Sequence, residues 1–596
     1  MLISALVVAA CISGESSRDA RLDYTLHFDP ADTTAITLQL SVRNAPASMQ
    51  LAANAHPEYD DKFWRYVDQV TATTNCGAMI AVSRLDSVRW QIHNDGAGAD
   101  INIAYRVKFP EEQMPRASWR PFLSPTGALI GGPHSFLYIV GLEKESADVT
   151  LDIPAAWKVG TGLDGKSTAK HFTARDVHAL MESPMLVGNL SEWTFSVRNV
   201  PHRVFYWKLP NATAFDSIAF VSGIEKVVAQ AMQLFKTAPY RQYSFLFQDG
   251  AWDGGLEHPN SVTLGAQSEE LAKDPNFTLR ETAHEFFHTW NLMAIEPAEY
   301  RGVDYRVQPP VAELWFSEGL TIFYSDLLRR RAKMPADDST RLEHLGHLIE
   351  RYLSMPGNAR YSAEQISRVA YNARPTELGD YTASSHLLGE ILGTLLDFRI
   401  RDATNGTRSI DDVMRAMHTR FANRKFTSRD VMKAVDDVCS CSSAPIFNQY
   451  VFNAGAIDFN RSLEPMGLRA ELAWRPSTER DGKPQSDLRV WAWEEGGALL
   501  LRVGDPNSVW AKADLHTGDR IISVNGQQVA SWPDFRNFLR NLVVGDSVAL
   551  TVQRGSDRLS RTVVVLGYNR PEVSIRRINQ MSDKQQKLFR AWLDGN

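Results

Sequence analysis

From about residue 23 to residue 188, apolar and polar residues alternate in short runs, as in Ile36-Thr37-Leu38-Gln39-Leu40-Ser41-Val42 and Ile101-Asn102-Ile103-Ala104-Tyr105-Arg106-Val107. Pro, Gly, Asn and Asp break the runs apart. A period of two punctuated by turn residues predicts an antiparallel β domain, assigned to residues 20–190. From about Phe215 the period becomes helical and stays mostly so through residues 384–402 and 410–438, which predicts a mostly α domain over residues 191–470. One strand interrupts it, Tyr243-Ser244-Phe245-Leu246-Phe247, followed by the loop Asp253-Gly254-Gly255-Leu256-Glu257-His258. Residues 475–487 are rich in Pro, Ser, Gly, Asp and Lys and read as a linker, taken as 471–487. Strands return over 488–570, and the tail 571–596 is expected to add a short helix. The fold class is multidomain α+β.

The helical region carries Thr282-Ala283-His284-Glu285-Phe286-Phe287-His288-Thr289-Trp290-Asn291. H-E-x-x-H on a helix sets two imidazoles one turn apart on one face, with a carboxylate beside them that can take a proton from a metal-bound water. Two packed or exposed histidines are the plain alternative. The context favours the metal: Thr278 and Glu281 read as a capping box, and Leu279, Ala283, Phe286, Phe287 and Trp290 recur at the spacing of a buried helix. A second apolar helix, Leu314-Trp315-Phe316-Ser317-Glu318-Gly319-Leu320-Thr321, carries one carboxylate in a hydrophobic face. Such a group is rarely buried without a partner, and a third ligand position suits it.

Composition narrows the partners. The chain has 596 residues, 44% hydrophobic, with a net charge of -6 and no long basic run, which argues against nucleic acid. Past the first residues no apolar stretch reaches the roughly 18 residues that a membrane-spanning helix needs, so the body is expected to be soluble. Residues 2–10 form a short apolar run ending in Val8-Ala9-Ala10-Cys11, with polar residues after it. This reads as a secretory leader over residues 1–19 with a lipoprotein-type cysteine at Cys11, and so as a bacterial cell-envelope protein, the alternative being a cytoplasmic one. Cys76, Cys439 and Cys441 give no readable disulfide framework; a Cys-x-Cys pair is awkward to bridge, and thiols at a helix end are expected.

Leu515-x-x-Gly518-Asp519-Arg520-Ile521-Ile522-x-Val524-Asn525-Gly526, with a helix over 532–542 and a strand over 547–553, resembles a PDZ domain. That resemblance puts Gly496, Gly497, Ala498 and Leu499 in the loop whose amides would cradle a peptide C-terminus, with binding by strand addition. Together with His-Glu-Phe-Phe-His-Thr-Trp-Asn, Leu-Trp-Phe-Ser-Glu-Gly-Leu-Thr, Gly-Gly-Leu-Glu-His, Leu395-Leu396-Asp397-Phe398-Arg399-Ile400-Arg401 and Phe447-Asn448-Gln449-Tyr450-Val451, the chain from about 23 to 570 resembles the glycyl aminopeptidase family of gluzincin zinc peptidases. The resemblance implies a thermolysin-like catalytic domain with one Zn2+ held by His284, His288 and Glu318, 29 residues lying between the last two. It implies Glu285 as general base and Glu257 as the anion that holds the substrate's free amino group, with Gly254 and Gly255 beside it.

One position departs from the family. Three residues before Gly389 a tyrosine is expected to donate to the developing oxyanion, and His386 stands there, with Ser385 before it and Leu388 where lysine is common. The expectation is that His386 takes this role, with Tyr381 as fallback. The reading is a zinc aminopeptidase acting on peptides with a free N-terminus, releasing small residues such as Gly or Ala. Its rivals are a PDZ-assisted endopeptidase of the envelope and a weakly active or inactive PDZ scaffold.

Overall fold

The computed structural model describes residues 20–54, 62–94, 98–110, 116–300, 310–334, 338–370 and 375–595. The leader residues 2–10 and Cys11 lie outside them. The described residues fall into two compact units, one holding those up to Thr289 and the other those from Trp290 onward. The division comes directly after the H-E-x-x-H motif, inside the segment the sequence assigns to one domain.

In the first unit the alternating runs become a seven-stranded sheet. Strand β1 (Arg21–His27) pairs with β2 (Ala35–Ala45), and β2 with β3 (Ala99–Lys108), all antiparallel. Leu38, Leu40, Ile103 and Val107 fill the core at period two, because successive side chains alternate between the two faces of a strand. The expectation of a wholly antiparallel domain is corrected at one pair: β1 runs parallel to β4 (Ala147–Asp152).

The same unit contains a five-stranded sheet in which β5 (Tyr243–Gln248) and β7 (Ser261–Gly265) run parallel, while β6 (Gly255–Glu257) lies antiparallel at the edge. The segment expected as a loop is therefore partly an edge strand. Helix α1 (Ser217–Phe235) packs beside this sheet, with Phe220 edge-on to Phe247, the ring centroids being 4.9 Å apart. It is long and apolar enough to cross a membrane by length and composition alone, as the core helix of a soluble protein can also be, and half of it is buried within the protein. Helix α2 (Leu279–Phe287) follows.

The second unit is built on α3 (Leu314–Arg331), α4 (Asp338–Ser354) and α5 (Ser385–Ala403). The expected linker is not a free tether. Strand β8 (Leu468–Pro476) pairs residue for residue with β14 (Asn569–Arg577), so the chain leaves for the PDZ-like domain and returns from it through one antiparallel ribbon. That domain is a sheet ordered β9 (Val490–Glu495), β10 (Ala498–Val503), β11 (Arg520–Val524), β12 (Ser547–Arg554) and β13 (Asp557–Val564), with α6 (Trp532–Arg540) against β9. The tail forms α7 (Asp583–Leu593), whose Leu588, Phe589 and Trp592 enter a core with Leu345, Ile349 and Phe398.

Cys439 and Cys441 are bonded, against the expectation of free thiols. Ser440 between them takes φ 49°, and this left-handed turn at the end of the helix Ser428–Cys439 brings the two Cα atoms to 5.1 Å, inside the range a disulfide spans.

Candidate active site

Helix α2 forms because one face has somewhere to go. Phe286 meets Tyr243 edge-on at 5.0 Å between centroids and Phe245 at 5.6 Å, and Phe287 packs on Phe235. The expected capping box is not made: Thr278 gives no side-chain cap, and its carbonyl accepts from both the amide and the hydroxyl of Thr282. His288 caps the C-terminal end, one residue past the last helical position.

The opposite face presents His284, Glu285 and His288. The two Nε2 atoms lie 3.1 Å apart, with the rings nearly perpendicular at 88°. Two nitrogens in a tetrahedral shell at ordinary zinc–nitrogen distances would be about 3.3 Å apart, so the pair fits one zinc ion. One ligand atom from each of His284, Glu285 and His288 falls within 4.8 Å of the others, and Glu285 and His288 are buried.

Edge strand β6 runs over this face. A Cβ on Gly255 would lie 2.3 Å from Cγ of Glu285, so glycine lets the strand come this close without displacing that side chain. Gly254 is covered in the same way by the indole of Trp252, which would stand 2.2 Å from an added Cβ. Two residues along the strand from Gly255, Glu257 is paired with Val262 and only 4% exposed. Tyr243, which sequence reasoning missed, lies within electrostatic reach of both carboxylates. Its hydroxyl donates to the carbonyl of Ser261 at 3.0 Å, and burial first, then the charges of Glu285 and Glu257, hold its pKa above the ordinary value. Its position in an all-buried strand gave no signal of this.

In the second unit, Glu318 and His386 are brought together by two glycines. A Cβ on Gly319 would sit 2.3 Å from the backbone of Gly389, and one on Gly389 would sit 1.9 Å from the carbonyl oxygen of Trp315. Helices α3 and α5 therefore touch backbone to backbone. One turn before Gly389, the Nε2 of His386 lies 3.2 Å from Oε2 of Glu318. Tyr381 is placed elsewhere, with its ring edge-on to Tyr361 at 6.1 Å and beneath the guanidinium of Arg360. Asn291, the last residue of the zinc motif, donates to the carbonyls of Phe316 at 3.1 Å and Ser317 at 3.0 Å, which anchors the turn ahead of Glu318.

At the first turn of α3, Glu313 has its pKa raised to about 8, by burial first and then by the nearby charge of Glu299. Its Oε1 accepts from the amide of Ser428 at 3.2 Å.

In the PDZ-like domain, Gly496 (φ 59°) and Gly497 (φ 76°) form a two-residue turn between β9 and β10, while Ala498 and Leu499 belong to β10 and pair with Glu495 and Glu494. Two consecutive positive φ angles suit a tight hairpin, so the open loop expected there is not formed. The edge strand beside α6 is β9, and the segment entering it is the one near the end of that helix, where Ser486 Oγ donates to the carbonyl of Leu542.

Residues 23–189 match the family model of the Peptidase M61 N-terminal domain, residues 278–387 that of the M61 glycyl aminopeptidase, and residues 495–565 a PDZ domain. The chain thus carries regions similar to both M61 domains, followed by one similar to a PDZ domain. The glycyl aminopeptidase match spans both histidines, Glu318 and His386. An aminopeptidase N family protein from Idiomarina loihiensis shares the fold: TM-score 0.75 and 18% identity, over 96% of this chain and 100% of that one. An M1 zinc metallopeptidase from Deinococcus radiodurans aligns over 71% of this chain and 91% of its own, with 14% identity and a TM-score of 0.44. Among curated proteins, the Regulator of sigma-E protease RseP of Salmonella typhimurium is 30% identical over 148 residues, 22% of this chain and 30% of that protein. The chain thus spans less than a third of the length of these curated relatives.

Proposed function

We propose that this chain is a zinc-dependent aminopeptidase that removes N-terminal residues, small ones such as Gly or Ala, from peptides. The observation that carries the reading is the convergence of His284 and His288 Nε2 at 3.1 Å with Glu285 beside them, under an edge strand that carries Glu257. His284, His288 and, by the family pattern, Glu318 would hold the metal. Zinc bound there supplies Lewis acidity toward the scissile carbonyl and lowers the pKa of the attacking water.

The protein's own groups do the rest. Glu285 takes the proton from the attacking water and passes it to the nitrogen of the leaving amine. Glu257 pairs with the substrate's α-ammonium, and a fixed anion at that place favours cleavage after the first residue. The outer edge of β6 offers backbone groups to an extended substrate by strand addition. His386 donates to the oxyanion as it develops. The leader reading at residues 2–10 and Cys11 supports a cell-envelope location, lipid-anchored or periplasmic, and the PDZ-like domain supports a peptide ligand of its own.

The test is metal dependence joined to the base. Chelation should abolish hydrolysis of a glycyl anilide and zinc should restore it. Glu285→Gln should retain the metal while kcat falls by about 10³-fold. Full turnover in the metal-free protein would refute the reading.

A further inference from the structure

We propose that the PDZ domain is a working part of the peptidase site: it holds residues 380–382 and through them sets the start of α5 and the imidazole of His386. The inference rests on the peptidase reading above.

Three consecutive residues of the peptidase region are gripped from the PDZ side. The carboxylate of Asp380 accepts from the amide of Thr517 at 2.7 Å through Oδ1 and meets Nδ1 of His516 at 2.6 Å through Oδ2. The other ring nitrogen of His516 lies 3.1 Å from Asp514, so the ring bridges two carboxylates and both its nitrogens donate when it is protonated. The carbonyl of Tyr381 accepts from Arg502 at 3.5 Å. Thr382 donates to the carbonyl of Gly504 twice, from its amide and its hydroxyl, each at 3.0 Å. The contact is close-fitted as well as polar: a Cβ on Gly504 would stand 2.7 Å from the Trp491 indole and 3.4 Å from Cγ2 of Thr382.

The grip passes on to the helix in four residues. The carbonyl of Thr382 accepts from Gly357 at 3.0 Å, and Ser384 donates its amide to Oδ1 of Asn358 at 3.0 Å. Ser384 then caps α5, its hydroxyl accepting from the amide of Leu387. His386 is in that first turn, 3.2 Å from Glu318. Between the PDZ contacts and the imidazole there is therefore only a short segment, pinned by the hydrogen bonds of Thr382 and Ser384. The contacts also reach the edge strand of the PDZ sheet: Trp491 of β9 lies against Gly504 and beneath the guanidinium of Arg502, the two residues that hold Thr382 and Tyr381. The paired strands β8 and β14 tie the domain in at its two ends. A PDZ module that served only to carry a ligand would need none of these contacts with the segment that opens the active-site helix.

The full-length, zinc-loaded protein tests this with Asp380→Ala, Thr382→Val and Thr382→Ser, the last keeping the hydroxyl donor. Two readouts are taken: kcat and KM on a free-amine anilide, and hydrogen exchange at the amides of Leu387 and Leu388. The expected result is a drop in kcat of about tenfold with KM changed less than about twofold, and faster exchange at both amides, for Asp380→Ala and Thr382→Val. Thr382→Ser should stay near wild type in both. A merely structural contact would lower the melting temperature and leave kcat per zinc-loaded chain unchanged; that outcome, or unchanged exchange, overturns the proposal. A wild type that hydrolyses none of the substrates would sink the peptidase reading, and the exchange data would still decide whether the PDZ domain orders the start of α5.

Discussion

The imidazole of His386, at the position where the sequence resemblance leads to the expectation of a tyrosine, lies 3.2 Å from the carboxylate of Glu318. The ring is part-exposed while the carboxylate is buried. If it donates to the oxyanion, His386→Ala should lower kcat by about 10²-fold with the zinc content unchanged, as removal of a single oxyanion donor does elsewhere. Steady-state kinetics on protein of measured metal content checks this. Unchanged turnover in the zinc-loaded variant would remove His386 from the mechanism.

Gly255 is predicted to be a catalytic constraint more than a stabilising one. A methyl group there would collide with Cγ and Cδ of Glu285, at 2.3 and 2.8 Å, on an edge strand of three residues. The flexible carboxylate can yield, so Gly255→Ala should cost little in thermal stability while kcat falls at least about tenfold through the displaced base. Equal losses in stability and in turnover per folded chain would contradict this.

Gly389 should behave in the opposite way. Its added Cβ would stand 1.9 Å from a backbone oxygen of α3, and two packed helix backbones cannot yield as a side chain can. Gly389→Ala should destabilise the protein by about 3 kcal/mol, which a denaturant titration would measure. A shift of less than about 0.5 kcal/mol would show that α3 and α5 do not touch there.

Glu313 gives a stability profile of known sign. Its folded pKa of about 8 lies above the ordinary 4.5, so the folded protein keeps a proton that the unfolded chain releases between these values. Stability from this group should be fully present below about pH 4.5, decline up to about pH 8, and level off beyond. Glu313→Gln keeps an acceptor for the amide of Ser428 and loses the titration. Melting temperatures from pH 5 to 9 should fall less steeply for the variant than for the wild type, whereas parallel profiles would contradict the assignment.

What the sequence made legible follows from what its patterns encode. The period-two runs of β2 and β3 and the helical recurrence of Leu279, Ala283 and Phe286 report burial directly, so the sheet and the metal helix could be read. The spacing of His284 and His288 also fixes their side of a helix, whatever surrounds it. Features that depend on contact between distant segments could not be read. Nothing local to Gly319 or Gly389 says that the two touch, and the polar run at 471–487 does not reveal that its first part pairs with residues beyond 568. Nor does the composition around Asp380 announce a hydrogen bond to residues more than a hundred positions away. Local signals also misled: Thr278 and Glu281 have the spacing of a capping box that the helix does not use, and the Cys-x-Cys spacing hid the left-handed turn at Ser440.

Whether Glu257 reads a free amine for the base at Glu285 is measured most directly by the hydrolysis of glycyl and alanyl anilides beside their N-acetylated forms. The measurement would be made with the wild type, Glu285→Gln and Glu257→Ala. The prediction is release from the free-amine substrates alone, lost in both variants. Comparable cleavage of the acetylated anilides by the wild type, or full activity of Glu257→Ala, would contradict it.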